Sequence, residues 1–395
     1  MAKLDVRTGW PVRKPEMIRS LCVAAAALNL MLPGARADEI KPSAVPASPA
    51  ASTSALATQV PEIAFDSVPD FLKLPPDIHF GEVAGIALNS KGHIFILSRG
   101  ATQGPAYGAA AAQLLEFNPD GTFVREIGHG LYAWSFAHVV RVDPEDNIWV
   151  MDKGSDMVVK FTPEGRVAMV WGRKTEAADE TAEPWKHPMP PLPPVQGQFR
   201  QVTDVAWDKA GNAYISDGYI NSRVAKVDKD GNWVDSYGSY GTEPGQFRTL
   251  HSIASDANDN IYIADRGNAR IQVMDTAGHI QRIIKIDVPF DYDKARAIIR
   301  GKPAKDRTTV DLFTPGAPWA LCITPGPKQV LYVADAFPGR IYKLSLDGKV
   351  LGVLGETGKQ LKQFGWIHEI ACPSENEIYV GELLNWRPQK LVLHP

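Results

Sequence analysis

Three of the chain's nine histidines stand at the same place in a repeated segment. His138, His251 and His368 open HVVRVDPEDNIWVMD (138–152), HSIASDANDNIYIAD (251–265) and HEIACPSENEIYVGE (368–382). Two further copies are TDVAWDKAGNAYISD (203–217) and AGIALNSKGHIFILS (84–98), and in all five the first and last residues lie 14 apart. A sixth copy, WALCITPGPKQVLYVAD (319–335), is two residues longer at its Pro-Gly-Pro turn. Nine histidines scattered over 395 residues would put about 0.14 at the six first positions. One histidine there would most simply cap or pack its own segment. Three at one position, in copies 2, 4 and 6, can meet at a common point. Three imidazoles with an open fourth position are the ligand set of a catalytic zinc ion.

The elements that must position these side chains are short strands. Each segment reads as two strands joined by a tight turn. More strands follow, such as Arg223 to Val227 with Trp233 to Tyr237, and Arg270 to Met274 with Ile280 to Ile286. One repeat is therefore a four-stranded antiparallel meander. The segments start 54, 65, 48, 68 and 49 residues apart, and the two long spacings carry insertions at 173–198 and 288–314. Six such sheets, none able to bury both faces alone, predict an all-β, six-bladed propeller. The last repeat has only three strands, ending with Lys390 to Leu393. An unpaired edge is a liability, so the stretch around Ile63 to Leu74 is expected to supply the fourth strand and close the ring.

In a propeller the first strand of each blade lines the channel, and alternate blades stand about 120° apart. The second strand runs back to the mouth where the first begins. The residues just after each segment, including Arg99, Lys153, Gly218-Tyr219 and Arg266, should therefore neighbour the histidines. Two guanidiniums and a phenol beside a metal suit a small carboxylate-bearing substrate. Arg223, Arg270 and Arg340 precede the third strand of three blades and read as scaffolding of the repeat.

With 44% hydrophobic and 22% charged residues, the chain can build a sizeable core. Its net charge of −3 gives no basic surface for nucleic acid. Residues 1–37 read as a signal peptide: Lys3, Arg7, Arg13, Lys14 and Arg19, then an apolar Leu21 to Leu32, then Ala35-Arg36-Ala37. The apolar run is too short to span a bilayer. Residues 38–60, rich in Ala, Ser and Pro, read as a disordered linker before a propeller at 61–395. A secreted or periplasmic monomer is expected. Cys22 would leave with the signal, and Cys322 and Cys372 can form one bridge at most.

The repeats resemble NHL repeats, most clearly PGQFRTLHSIASDANDNIYIADRGNARIQVMD (244–275). Residues from about 82 to 395 resemble, more specifically, the peptidyl-α-hydroxyglycine α-amidating lyase family. The motifs are VAGIAL…SRG (83–100), VTDVAWD…AYISDGYINSR (202–223), GQFRTLHSIA (245–254), IADR (263–266) and IHEI (367–370). The resemblance implies a zinc-dependent lyase. It would cleave the C–N bond of a peptidyl or N-acyl α-hydroxyglycine, giving an amide and glyoxylate. It makes His138, His251 and His368 the Zn²⁺ ligands, Tyr219 the base, and Arg99 and Arg266 the residues for the substrate's C-terminal carboxylate. It also implies a structural Ca²⁺ held by the backbone oxygens of Ile86 and Val140 and the carboxylate of Glu369. The chain departs from the family at Glu369, Trp366 and Ile220, where the family has Asp, Met and Cys, and it lacks the family's disulfides. Two other readings stay open: a lactonase-like metal-dependent hydrolase, and a non-enzymatic NHL scaffold that binds protein.

Overall fold

Three of the repeated segments fold as hairpins around a turn that an acidic side chain builds, and in the first segment Asn89 does the same. The Asp143 carboxylate accepts the backbone N–H groups of Glu145 and Asn147, Asp208 those of Ala210 and Asn212, and Asp256 those of Asn258 and Asn260. This Asx geometry satisfies the turn's donors locally and leaves the flanking apolar residues free to pack.

The structure is a computed structural model that describes residues 60–100, 112–173, 193–290 and 314–394. These all belong to one unit, Thr58–Pro395. The expected signal peptide, the linker apart from Val60, and most of both insertions lie outside the described residues.

Six four-stranded antiparallel sheets form the blades of a β-propeller. Blade 1 runs Val83–Leu88, Ile94–Ser98, Gln113–Phe117 and Phe123–Ile127; blade 2 runs Ala137–Val142, Ile148–Asp152, Met157–Phe161 and Val167–Gly172. Blade 3 is Asp204–Trp207, Ala213–Asp217, Arg223–Val227 and Trp233–Tyr237; blade 4 is Leu250–Ser255, Ile261–Asp265, Arg270–Met274 and Ile280–Ile284. Blade 5 is Ala320–Ile323, Leu331–Ala334, Ile341–Leu344 and Val350–Leu354. Blade 6 takes Ile367–Ser374, Glu377–Glu382 and Arg387–His394 from the end of the chain. Its outer strand is Ala64–Val68, paired antiparallel from Ala64 opposite His394 to Val68 opposite Lys390. The ring is closed by the N-terminal strand, as the missing fourth strand required.

Neighbouring blades share apolar cores, one at each interface. Leu97 and Leu114 meet Val140, Val150 and Phe161 between blades 1 and 2, and Ile86 and Leu115 meet Tyr379 between blades 6 and 1. Each fully buried aliphatic side chain contributes about 1.5–3 kcal/mol of transfer free energy. The first strands of successive blades touch one another, so they line the channel.

The acid that ends five of the six segments ties down the loop at the mouth, and Ser98 does so in the first. Asp152 accepts the N–H of Phe136 (3.0 Å), Asp217 that of Arg200 (2.8 Å), Asp265 that of Arg248 (2.8 Å), Asp335 that of Gly316 (3.1 Å) and Glu382 that of Gly365 (2.6 Å). Arg223 pairs with Asp217 and Arg270 with Asp265, while the Arg340 N–H donates to Asp335. Their scaffolding role follows. Cys322 and Cys372 form a disulfide between the first strands of blades 5 and 6, with Cα atoms 6.0 Å apart. Among the described residues no helix is long and apolar enough to cross a membrane.

Candidate metal centre

The three histidines point into the channel because the first strand of each of their blades bulges there. In blade 2, Ala137 pairs with Asp152 and Val139 with Met151, which leaves His138 as the extra residue. In blade 6, Ile367 pairs with Glu382 and Glu369 with Gly381, leaving His368. In blade 4, His251 and Ser252 together face one residue between the Leu250–Asp265 and Ile253–Ile263 pairs. A bulge takes a residue out of the ladder and re-aims its side chain. Blade 1 bulges at Ala84 as well, and in blades 3 and 5 the paired strand begins one residue later, at Asp204 and Ala320.

Each imidazole then leans on the next blade. Nδ1 of His138 donates to the Thr203 carbonyl (2.8 Å), that of His251 to the Trp319 carbonyl (2.7 Å) and that of His368 to the Ala84 carbonyl (2.7 Å). The acceptors are the first residues of segments 3, 5 and 1, so the pseudo-threefold pattern extends to the groups that orient the rings. A carbonyl only accepts, so each Nδ1 carries the proton and each Nε2 keeps its lone pair. Ring centroids are 4.6–4.8 Å apart, and one ligand atom from each ring lies within 4.8 Å of the other two. Burial, the largest influence, holds all three pKa values well below 6.5, and neighbouring cations add to it. The rings are therefore neutral. Nε2 of His251 is buried with no hydrogen-bond partner among the described residues. Three buried lone pairs aimed at one point, one of them unsatisfied, fit a metal ion that accepts nitrogen ligands.

Tyr219 stands beside them. Its ring lies edge-on to His138 (5.6 Å) and His251 (6.0 Å), and its hydroxyl is 3.4 Å from His138 Nε2. Gly218 makes this approach possible, since a Cβ there would collide with the Leu250 carbonyl. Lys153 Nζ sits 4.0 Å over the tyrosine ring, and Arg266, which hydrogen-bonds Tyr219, lies 5.4 Å from the ring centre. Burial, the strongest single effect, opposes ionisation of Tyr219. Lys153, Arg266 and Arg99 together outweigh it and lower the phenol below 10.0.

Arg266 is buried and stacks on Trp319 at 3.9 Å. Arg99 lies over Phe136 at 4.2 Å and is bound by the Glu82 carboxylate at 2.8 Å. Lys153 follows the end of its segment as Arg99 and Arg266 follow theirs. Spacing placed it at the mouth but gave it no role, and only the structure shows it against the tyrosine. Burial also lowers the Lys153 pKa. Trp366 packs edge-on against Trp319 (4.8 Å) in an aromatic wall that includes Phe337 and Phe290.

Of the expected calcium ligands, one already faces a cation. Ile86 and Val140 are buried in the first strands of blades 1 and 2, which approach closely at Gly85. Glu369, however, is engaged: Oε1 lies 2.8 Å from the Arg141 guanidinium. Burial pushes the Glu369 carboxyl well above its ordinary range, Arg141 opposes this, and Asp204 adds to it. Sequence reasoning missed Arg141, whose one visible signal was a cation among the valines that follow His138 on the strand.

Known proteins agree with this fold and differ in what their names say. The NHL repeat matches residues 247–274. The chain is 27% identical over 220 residues to the probable peptidyl-alpha-hydroxyglycine alpha-amidating lyase of Caenorhabditis elegans, covering 50% of this chain and 56% of that protein. It is 30% identical over 175 residues to NHL repeat-containing protein 3 of Homo sapiens, covering 41% and 45%. The chain spans between about a fifth and a little over half of the length of the curated relatives it matches. A streptogramin B lyase structure superposes with a TM-score of 0.50 at 13% identity, covering 84% of this chain and 98% of that one, which speaks to fold alone. The chain is a six-bladed β-propeller carrying an NHL repeat, distantly similar to proteins named as amidating enzymes.

Proposed function

We propose that the protein is a zinc-dependent lyase acting on peptidyl or N-acyl α-hydroxyglycines. The observation that carries this reading is the convergence of His138, His251 and His368 beside Tyr219 at a mouth lined by cations. Zn²⁺ held by the three histidines would supply Lewis acidity to the substrate's hydroxyl group. Arg266 and Lys153 face the space around Tyr219 and would hold the substrate carboxylate. Arg99, fixed by Glu82, adds to the positive field.

Tyr219 takes the hydroxyl proton. The oxygen's electron pair forms the C=O bond of glyoxylate as the C–N bond breaks. That bond's pair stays on nitrogen, and the proton held by Tyr219 balances the one the departing amide requires. No water is consumed. Trp319 and Trp366 form an apolar wall against which an acyl group can pack. The Cys322–Cys372 bridge supports an oxidising compartment, in keeping with export.

A purely structural NHL scaffold would have no use for three neutral imidazoles sharing one buried point, because leaving a buried lone pair unsatisfied costs stability. The test is glyoxylate release from α-hydroxyhippurate by zinc-loaded protein, with non-enzymatic breakdown subtracted. Release above background is expected. Its absence with this substrate and with longer acyl groups would refute the lyase reading.

A further inference from the structure

One largely buried guanidinium, with 13% of its side chain exposed, joins five blades at the channel axis. Arg141, on the first strand of blade 2, binds Asp204 of blade 3 through Nε (2.8 Å) and through a terminal nitrogen (2.7 Å). The same terminal nitrogen lies 3.3 Å from Ser252 Oγ of blade 4, 3.3 Å from the Leu321 carbonyl of blade 5 and 2.8 Å from Glu369 Oε1 of blade 6. Its other terminal nitrogen donates to the Ile370 carbonyl of blade 6 at 3.3 Å. The acceptors are themselves fixed. Asp204 also receives the Ser252 hydroxyl and the N–H groups of Val205 and Ile253, and Glu369 receives the N–H of Ile370. Asp204 and Glu369 are fully buried.

This arrangement does the work of a structural metal ion. Calcium would gather six to eight oxygens from several strands around one positive charge. Here two carboxylates, a hydroxyl and two backbone carbonyls gather around a charge that belongs to the chain. Glu369, the one carboxylate of the expected calcium set, is already spent on it. A calcium ion at that carboxylate would also sit against a guanidinium of like charge. We infer that Arg141 is a built-in cation that replaces a structural calcium at the axis, so that ring closure in this propeller needs no calcium. Unlike a bound ion, the guanidinium can be neither diluted nor chelated away, and it stays charged at any pH the fold survives.

The inference stands apart from the lyase reading, and its test reads no activity. Zinc-loaded mature protein is purified without added calcium, its calcium is measured by elemental analysis, and its melting temperature is recorded with and without about 10 mM calcium, above the affinity range of weak extracellular calcium modules. Trace calcium and an unmoved melting temperature are expected. One calcium per chain, or a melting temperature raised by calcium but not by magnesium at equal ionic strength, overturns the inference. Arg141→Ala leaves Asp204 and Glu369 facing each other without a counter-charge. It is expected to melt lower than wild type and to recover several degrees with calcium. A variant that melts like wild type without calcium overturns the inference. Should that variant not fold, Arg141→Lys keeps the charge but cannot reach all six oxygens. It is expected to melt below wild type, and equal melting overturns the inference.

Discussion

Replacing Tyr219 with Phe separates catalysis from packing. The substitution removes one oxygen and keeps the ring that lies edge-on to His138 and His251 and under Lys153. The hydroxyl's partners are Arg266 and, at 3.4 Å, His138 Nε2. Losing a hydrogen bond of this kind costs about 0.5–1.5 kcal/mol of stability. In a propeller of this size that moves the melting temperature by a few degrees at most. Losing the proton acceptor is a larger matter. A general base contributes about 10²–10⁴-fold, or roughly 2.7–5.5 kcal/mol of barrier. A fold weakened by about 1 kcal/mol remains almost wholly native, so it cannot produce a hundredfold loss of rate. Glyoxylate release from α-hydroxyhippurate should therefore fall at least about a hundredfold in kcat while melting and zinc content stay near wild type. Activity equal to wild type would refute Tyr219 as the base and leave the lyase reading intact. Loss of zinc together with activity would show instead that the hydroxyl supports the metal site.

Two further perturbations test the frame around it. His251→Ala removes one of three converging ligands while its blade keeps the rest of its ladder; zinc content and glyoxylate release should both fall with the β-sheet circular dichroism unchanged, and full zinc retention would refute the three-histidine site. Cys322→Ser opens a bridge that closes 50 residues of chain. The loop-entropy relation gives about 4 kcal/mol for that length, so the denaturation midpoint should fall accordingly with an unchanged site. An unmoved midpoint would show that the bridge does not restrain the unfolded chain.

The sequence alone determined the architecture, because strand patterning is local. Five segments of one length and a sixth two residues longer, all but the first ending in an acid, specify hairpins whose turns are built from residues two to four apart, as at Asp143 and Asp256. Six of them, with the last one strand short, require the stretch near Ile63 to close the ring, and Ala64–Val68 does so. The shared position of His138, His251 and His368 was legible for the same reason. Their direction was not. A strand's pleat sends successive side chains to opposite faces, so the outcome turned on bulges that no local pattern announced. The carbonyls that orient the rings come from 65, 68 and 284 residues away. Pairing of Cys322 with Cys372 likewise waited on two blades lying side by side. Arg141 marks the limit of sequence reasoning most clearly. Its bond to Ile370 spans 229 residues, and only closing the ring brought a guanidinium to the carboxylate expected to hold calcium. Local chemistry sets which strands form, and closure of the ring decides which side chains share the axis.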